Sequence, residues 1–332
     1  MIEIDKKDEK ILFYLLQDSR QSYKSIAKKI GGSKEFVAYR INRLVKNDVI
    51  THFSIILNFE RLGYMLMQTH YKFINITPVK KEEIIRFLVS NKYSLSVSLC
   101  EGNFDLQVYF YIGKPTDFER LIEEFKENFS SHLHFKLSRF PIRMEFYDYA
   151  FLIGDNKKKY PVINWAWGQK PLIIDNLDFG ILKELAKNCR MPLTDIANSL
   201  NSTVSTINNR IRKMDTASLI SQYTISVDWA KLGYHRVNLQ VTLKDYSKKN
   251  DVITFVRGNP NLIRQVKYLD MDMKLHFTFL LKKREHIWDI IDSLSSQLAS
   301  CIYDYQFYST YKVYKNNFLI PELIHGQNPL TR

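Results

Sequence analysis

Hydrophobic residues recur at helical spacing through the first part of the chain. They form three stripes: Ile11, Leu12, Leu15 and Leu16; Ile26, Ala27 and Ile30; and Val37, Ile41, Leu44 and Val45. Residues three and four apart share one face of a helix, so each stripe predicts a short amphipathic helix. Asp5, Ser22 and Ser33 precede the stripes, and these residue types cap helix N-termini. The pattern therefore predicts three helices in close succession.

The connections between these helices predict a winged helix-turn-helix over residues 1–64. Gly31-Gly32 supplies a tight turn between the second and third helices, because glycine tolerates positive φ angles. Asn47 fits a left-handed position after the third helix. The alternating Phe53, Ile55 and Leu57 then predict a strand, and a strand after a helix-turn-helix gives the winged arrangement.

The same pattern returns 170 positions later without a gap. Ile4-Asp5 falls on Ile174-Asp175, and Leu62-Gly63-Tyr64 falls on Leu232-Gly233-Tyr234. A period this long indicates a duplicated pair of domains rather than a solenoid. Residues 171–235 are thus predicted to form a second winged helix-turn-helix, in which Asn201-Ser202-Thr203 replaces the glycine turn.

Each helix-turn-helix is followed by a segment with the order strand, helix, strand, strand, helix, strand. This order predicts ferredoxin-like βαββαβ domains at residues 65–150 and 236–316 and an α+β fold class. Helices cover one face of such a sheet, so we expect the other face to bury against the second copy. The first domain is expected to end in one strand, Leu133–Phe146. Residues 151–170 are expected to be a linker, and residues 317–332 a tail.

The outward side of each third helix carries the candidate DNA contacts. Asn pairs with adenine edges, Arg with guanine or phosphate, and Lys with phosphate. Such residues equally form the solvated face of an ordinary helix. Including the cap positions, the predicted DNA-binding residues are Ser22, Ser33, Lys34, Tyr39, Arg40, Asn42, Arg43 and Lys46 in the first unit, and Thr203, Ser205, Thr206, Asn209, Arg210, Arg212 and Lys213 in the second.

Charge supports a polyanionic partner and favours the first unit. The formal net charge is +13, and residues 1–64 hold 12 Lys and Arg against 8 Asp and Glu, whereas residues 171–235 hold 7 against 6. A basic balance of this size is typical of nucleic-acid-binding proteins. The best partner on this reading is double-stranded DNA.

The remaining composition argues against several other classes of protein. The sequence has no long apolar run and no signal-peptide pattern, which predicts a cytoplasmic protein without a membrane partner. Its three cysteines are too scattered for a disulfide framework or metal site and are expected to be buried thiols. Phosphate-binding loops and nucleophile elbows are missing. We therefore predict no catalytic residue, no metal and no cofactor.

The pattern from Ile4-Asp5 through Arg40-Ile41 to Leu62-Gly63-Tyr64 resembles the Lrp/AsnC, or feast/famine, transcription regulators, and the resemblance covers nearly the whole chain once per half. Members of that family usually carry one copy and dimerise through the sheets of their ferredoxin-like domains. These domains are called the rear domains below. The resemblance implies a fused pseudo-dimer, with or without further assembly into a homodimer or larger oligomer. Because the two recognition helices differ, we predict an asymmetric DNA site.

The resemblance also implies an amino acid effector near the turn between the second and third strands of a rear domain. Gly102 and Asp105 fit the family's pattern there, although a glycine also serves simply as a turn residue. Two other readings remain open. One is an enzyme, because some fused proteins of the same architecture resemble siroheme decarboxylases, and His132 and His134 would point to one face if they lie on a strand. The other is an interaction scaffold without DNA contact.

Overall fold

The computed structural model describes residues 2–154, 161–269 and 273–316. Part of the predicted linker, residues 155–160, and the predicted tail, residues 317–332, lie outside these ranges.

The described chain forms α-helices in two sets, one for each repeat. The first set is α1 (Lys6–Gln17), α2 (Tyr23–Ile30), α3 (Lys34–Lys46), α4 (Pro78–Ser90) and α5 (Pro115–Phe129). The second set is α6 (Asn176–Lys187), α7 (Leu193–Ser199), α8 (Val204–Thr216), α9 (Lys249–Val256) and α10 (His286–Leu298). Among the described residues, every helix is too short or too polar to cross a bilayer.

Strands lie between and after these helices. Those of the first half are β1 (Ile50–Leu57), β2 (Met65–Phe73), β3 (Ser94–Gly102), β4 (Leu106–Ile112), β5 (Leu133–Arg139), β6 (Pro141–Tyr147) and β7 (Pro161–Ala166). Those of the second half are β8 (Ile220–Val227), β9 (His235–Leu243), β10 (Leu262–Tyr268), β11 (Lys274–Leu281) and β12 (Ile302–Asn316).

Local sequence explains the helix-turn-helix units. The Asp5 carboxylate accepts from the backbone N–H groups of Lys7 and Asp8 and caps α1, as predicted. Gly31 ends α2 with φ +65°, and Asn201, at the equivalent position of the second repeat, has φ +49°. Asparagine tolerates this left-handed conformation better than other side chains do, which explains why it can replace the glycine.

Two details of the third helix differ from the prediction. Asn47 has φ −89°, and the left-handed residue is Asp48 with φ 52°. Val45, assigned to the buried stripe, is 40% exposed. The stripe is narrower than expected because Val37, Ile41 and Leu44 already fill the helix face that meets the core.

The wing strand pairs across the two repeats. β1 runs antiparallel to β8, with Phe53 opposite Ile225 and Ile55 opposite Tyr223. Ser54 faces Thr224, which is its own equivalent 170 positions on. An approximate two-fold axis therefore passes between these two residues.

A buried contact between Ser19 and Cys189, also 170 positions apart, lies close to the same axis. The Ser19 Oγ and Cys189 Sγ atoms are 2.9 Å apart. Because equivalent residues touch each other directly, the two helix-turn-helix units meet as the protomers of a dimer would.

Each helix-turn-helix packs against the strand of the other repeat. The core around Ile11, Leu15 and Val37 includes Ile225 and Trp229 from the second half. The second unit's core reciprocally contains Ile55 and Leu57 from β1. This exchange ties the two units together through buried apolar surface, which is the main stabilising term in folding.

The rear domains have the ferredoxin-like order and join into one sheet. In the described chain the ten strands run in the order β5-β2-β4-β3-β12-β9-β11-β10-β6-β7. Each domain contributes its four strands in the spatial sequence fourth, first, third, second. The α+β prediction of two winged helix-turn-helix units, each followed by a βαββαβ domain, is confirmed.

The expected strand from Leu133 to Phe146 is broken at Phe140. Its first part, β5, pairs with β2, whereas its second part, β6, pairs with β10 of the other domain. β12 similarly pairs with both β3 and β9. Residues distant in the strand order also touch, since the Tyr268 hydroxyl donates to the Gln68 side chain. The sheet thus folds back so that its two halves face each other.

The segment predicted to be a linker contains regular structure. β7 lies within residues 151–170 and pairs with β6 of the preceding domain. Trp165 is buried there, packs edge-on against Phe59 and Phe146, and donates to the Ser221 hydroxyl at 3.0 Å. Trp165 therefore packs between elements of both repeats.

Candidate nucleic-acid interface

The outward face of α3 presents polar side chains free of the core. Tyr39 is 65% exposed, and Lys34, Asn42 and Lys46 are also exposed. On the opposite side Val37 is fully buried. The helix thus has the geometry of a recognition helix, with one stripe fixed in the core and the opposite side available to a groove.

Arg40 is held within its own unit. Its Nη1 atom lies 2.7 Å from Asp5 Oδ2 and 3.2 Å from Asp8 Oδ2. Its guanidinium also lies over the Phe36 ring, 4.8 Å from the centroid. These contacts join α3 to the N-terminus of α1, so Arg40 has a structural role, and its role in DNA binding stays a prediction.

Arg43 lies one turn further along α3 and shares the same carboxylate. Its guanidinium donates to Asp8, whose side chain is completely buried, while the Arg43 side chain is 36% exposed. Asp8 therefore orients Arg43 at the edge of the outward face. Lys213 is the equivalent residue of the second repeat and is fully on the exposed side.

The second recognition helix, α8, is similar in shape but less charged. Ser205, Asn209, Arg212 and Lys213 are exposed, and Thr206 is half-buried. Arg210 repeats the role of Arg40, with its Nη1 atom 2.6 Å from Asp175 Oδ2 and 3.2 Å from Asp178 Oδ2.

The Arg210 contacts also affect the cap of α6. The backbone N–H of Asp178 and the Arg210 guanidinium hold the pKa of the Asp175 carboxyl below its usual range. This carboxylate therefore stays ionised near neutral pH and caps the helix.

The three predicted cap residues are already used in capping. Ser22 accepts from the Ser25 backbone N–H at 3.1 Å, and Ser33 accepts from Phe36 at 3.0 Å. Thr203 accepts from Thr206 at 3.1 Å. All three are exposed, so they place helix N-termini, which favour phosphate, at the surface.

Two lysines that were not predicted belong to the same surface. Lys24 and Lys28, both exposed, line a shallow depression together with Lys34 at the start of α3. The sequence already showed these lysines at helical spacing, on the side of the second helix opposite Ile26, Ala27 and Ile30. At the equivalent positions the second repeat has Thr194, Asn198 and Val204. This surface is therefore basic in the first unit only.

The turn predicted to hold an effector is part of an internal contact. Gly102 has φ +107°, and a Cβ atom there would lie 3.0 Å from the Phe307 carbonyl oxygen in β12. Asp105 accepts from the Lys72 ammonium at 2.7 Å and from the Phe73 backbone N–H at 2.9 Å. Gly102 is thus required by the backbone angle and the close approach of β12, and Asp105 by its hydrogen bonds to β2. The role of both residues in binding an effector stays a prediction.

The two histidines of the enzyme reading do not share a strand. His132 ends a short 3-10 helix and β5 begins at Leu133, so His132 and His134 are not same-face residues of one strand. The three cysteines are unpaired and buried, as expected. Among the described residues, no cluster of His, Cys, Asp or Glu is arranged to hold a metal ion.

The fold defines the class of protein: two winged helix-turn-helix units, each joined to a ferredoxin-like domain in one chain. A family model described as "Winged helix-turn-helix DNA-binding" matches residues 4–51, and one described as "AsnC-type helix-turn-helix domain" matches residues 174–215. An uncharacterized HTH-type transcriptional regulator of Pyrococcus furiosus is 35% identical over 122 residues, covering 37% of this chain and 81% of the relative. The chain belongs to the Lrp/AsnC family of helix-turn-helix transcription regulators.

Two further similarities concern one copy and the whole chain, respectively. The HTH-type transcriptional regulator LrpB of Bacillus subtilis is 28% identical over 145 residues, covering 44% of this chain and 93% of LrpB. The crystal structure of the siroheme decarboxylase NirDL matches with a TM-score of 0.62, covering 96% of this chain and 99% of that chain. At 14% identity this second match shows a shared fold and nothing about chemistry.

Proposed function

We propose that this protein is a sequence-specific regulator of transcription that binds double-stranded DNA. It would use both winged helix-turn-helix units of the single chain, residues 1–64 (the first head) and 171–235 (the second head). The observation that carries the proposal is the β1–β8 pairing around Ser54 and Thr224, which holds two exposed recognition helices in a dimer-like relation. Dimeric helix-turn-helix proteins place their heads about 34–36 Å apart, one turn of DNA. A cytoplasmic location follows from this role.

Within the first head, the exposed residues divide into two groups by chemistry. Tyr39, Asn42 and Arg43 are proposed to reach base edges, since they lie on the outward side of α3. Lys34 and Lys46 are proposed to contact phosphates, together with Lys24 and Lys28. Asn209, Arg212 and Lys213 take the corresponding places in the second head.

The two heads are proposed to read unlike half-sites. Tyr39 and Asn42 correspond to Asn209 and Arg212, so the two helices offer different donors and acceptors at matched positions. The basic surface of the first head further implies that this head contributes more of the phosphate-dependent affinity.

Regulation by an amino acid effector at Gly102 and Asp105 remains part of the proposal. Its support is the position of this turn against β12 of the other domain, where a ligand would bridge the two rear domains. Most of the counterpart turn in the second rear domain, residues 270–272, lies outside the described residues. A variant Asp105→Asn that binds DNA but ignores every amino acid would support the site if the unaltered protein responds.

A second candidate function is a tetrapyrrole enzyme, favoured only by the whole-chain fold match to NirDL. We propose instead that the protein has no catalytic activity, because its relatives in sequence are named as transcriptional regulators. The two ideas give different visible spectra. A purified protein with a Soret band would support the enzyme, and a colourless protein would support the regulator.

A gel shift across a salt series tests the DNA proposal. Random-sequence duplex should be retarded at low ionic strength, and retardation should weaken steeply as salt rises. Failure to shift any duplex at low ionic strength would refute the proposed function.

A further inference from the structure

The space between the two halves of the sheet holds three arginines without an acidic partner. They are Arg139 on β5, Arg236 on β9 and Arg264 on β10. Within the described chain, none of the three has a carboxylate oxygen within 4.0 Å. Burying a charge is costly unless it is paired, so this arrangement needs an explanation.

Arg139 is surrounded by neutral groups. It donates to the His276 ring at 3.1 Å and to the Gln240 side chain at 2.8 Å, and it lies over the Tyr268 ring. Burial and the Arg139 charge lower the pKa of His70 to about 3 and that of His276 well below its usual value. Both histidines are therefore neutral, and the space keeps its full positive charge.

Arg264 belongs to a row of polar side chains that crosses three strands. Its Nε and Nη2 atoms donate to the Thr278 hydroxyl at 3.4 and 3.3 Å, and that hydroxyl donates to Asn238 Oδ1 at 2.9 Å. The Asn238 amide nitrogen is buried and, among the described residues, has no acceptor. An unused donor thus lies in the same row as an unpaired guanidinium.

Arg236 points into the same space. It lies two residues before Asn238 on β9, and side chains two apart share one face of a strand. Its side chain makes no hydrogen bond or ion pair to a described residue. Burial and the neighbouring Arg264 charge lower the pKa of Arg236. Both arginines are only partly buried, so solvent reaches part of each side chain.

The other titratable groups near Arg236 cannot supply a negative charge at neutral pH. Burial raises the pKa of the Cys100 thiol to about 12, and burial also raises the pKa of Tyr149. The carboxylate of Asp105, on the turn that follows β3, is already bound by Lys72. The described chain therefore supplies no carboxylate oxygen within 4.0 Å of either arginine.

We propose that the inter-sheet space binds a small anion through the guanidinium groups of Arg236 and Arg264 and the amide nitrogen of Asn238. The ligand class is a small molecule with carboxylate or phosphate oxygens, because a guanidinium group forms bidentate hydrogen bonds with both. The site lies on the inner sheet face and uses residues other than Gly102, Asp105 and those of the recognition helices. It does not depend on the proposed DNA binding.

Thermal unfolding of the full chain with citrate or inorganic phosphate tests the site against sodium chloride of equal ionic strength. At least one probe should raise Tm saturably, by about 2–4 °C at ten times its Kd. A response to citrate alone assigns a carboxylate ligand, and a response to phosphate alone assigns a phosphate ligand. Arg236→Gln should abolish the shift, and Arg86→Gln, which removes an exposed arginine on α4, should retain it.

The variant without ligand gives an independent readout. If Arg236 were a structural residue, Arg236→Gln would lower Tm, whereas an unpaired, partly buried cation kept for binding predicts a Tm equal to or above that of the unaltered protein. The proposal is overturned by a lower Tm of unliganded Arg236→Gln. It is equally overturned by shifts no larger than those in chloride, or by the same shift in Arg236→Gln.

Discussion

Removing the basic surface of the first head should reduce the salt dependence of DNA binding by a calculable amount. Lys24, Lys28 and Lys34 are exposed and line one depression, and Lys24 and Lys34 lie in the first turns of α2 and α3. Each phosphate contact contributes about 0.9 to the slope of log K against log salt concentration. If all three lysines bind phosphate, replacing them with alanine should lower the slope by about 2.7. Between 50 and 200 mM salt, the unaltered protein should then lose about 40-fold more affinity than the triple variant.

The assay is fluorescence anisotropy of a labelled duplex over a series of potassium chloride concentrations. A matched control carries Lys114→Ala, Lys244→Ala and Lys267→Ala, three exposed lysines of the rear domains. Both triple variants lower the formal charge equally, so a general effect of net charge would act on both. A slope that is unchanged in the first variant, or reduced equally in the control, would refute the placement of the phosphate contacts.

Three further predictions follow from individual residues. The folded pKa of His70, about 3, lies below the unfolded value of 6.5, so the unfolded chain takes up the proton first and stability falls as pH drops below 6.5. Urea unfolding should show about 2 kcal/mol lost between pH 7 and 5 from this residue, absent in His70→Gln and retained in the exposed control His286→Gln. Arg43→Ala should weaken binding to a selected site by about 1–3 kcal/mol, and unchanged affinity would exclude a bidentate base contact. Gly31→Val should cost about 1–2 kcal/mol of unfolding free energy because φ is +65°, whereas Gly31→Asn should cost much less, and equal losses would contradict this reason.

Features set by neighbouring residues were predictable from the sequence. The capping of α1 by Asp5 and of α3 by Ser33 depends on residues within one helical turn, and both were predicted. The strand order within each rear domain also followed from the order of strands and helices along the chain. The repeat of 170 positions identified the residues that are equivalent in the two halves.

Features that depend on distant partners were not predictable in the same way. Nothing in the β1 pattern shows that its partner is β8, because alternation fixes which residues face inward and leaves the neighbouring strand open. The break at Phe140 similarly depends on two pairing partners that lie in different domains.

Helical spacing predicted which side chains of α3 face outward, but it did not predict which of them bind other residues of the protein. Arg40 lies at the border of the outward face, where the sequence could not show that Asp5 and Asp8 bind it. The lysines of α2 were not predicted because exposed lysines on an amphipathic helix are also typical of an ordinary solvated face. The inward polar residues of the rear sheets, such as Arg236 and Asn238, alternate with apolar ones, so they read as an ordinary solvent-facing side.

Selection of binding sites from random duplexes at low ionic strength, followed by footprinting on the selected sequence, tests the central claim most directly. That claim is that one chain carries two unlike DNA-reading heads across an approximate two-fold axis. The account predicts an asymmetric site with two protected segments whose centres lie about 10–10.5 base pairs, or a multiple of this, apart. Selection of perfect palindromes only, or no enrichment of any duplex, would contradict it.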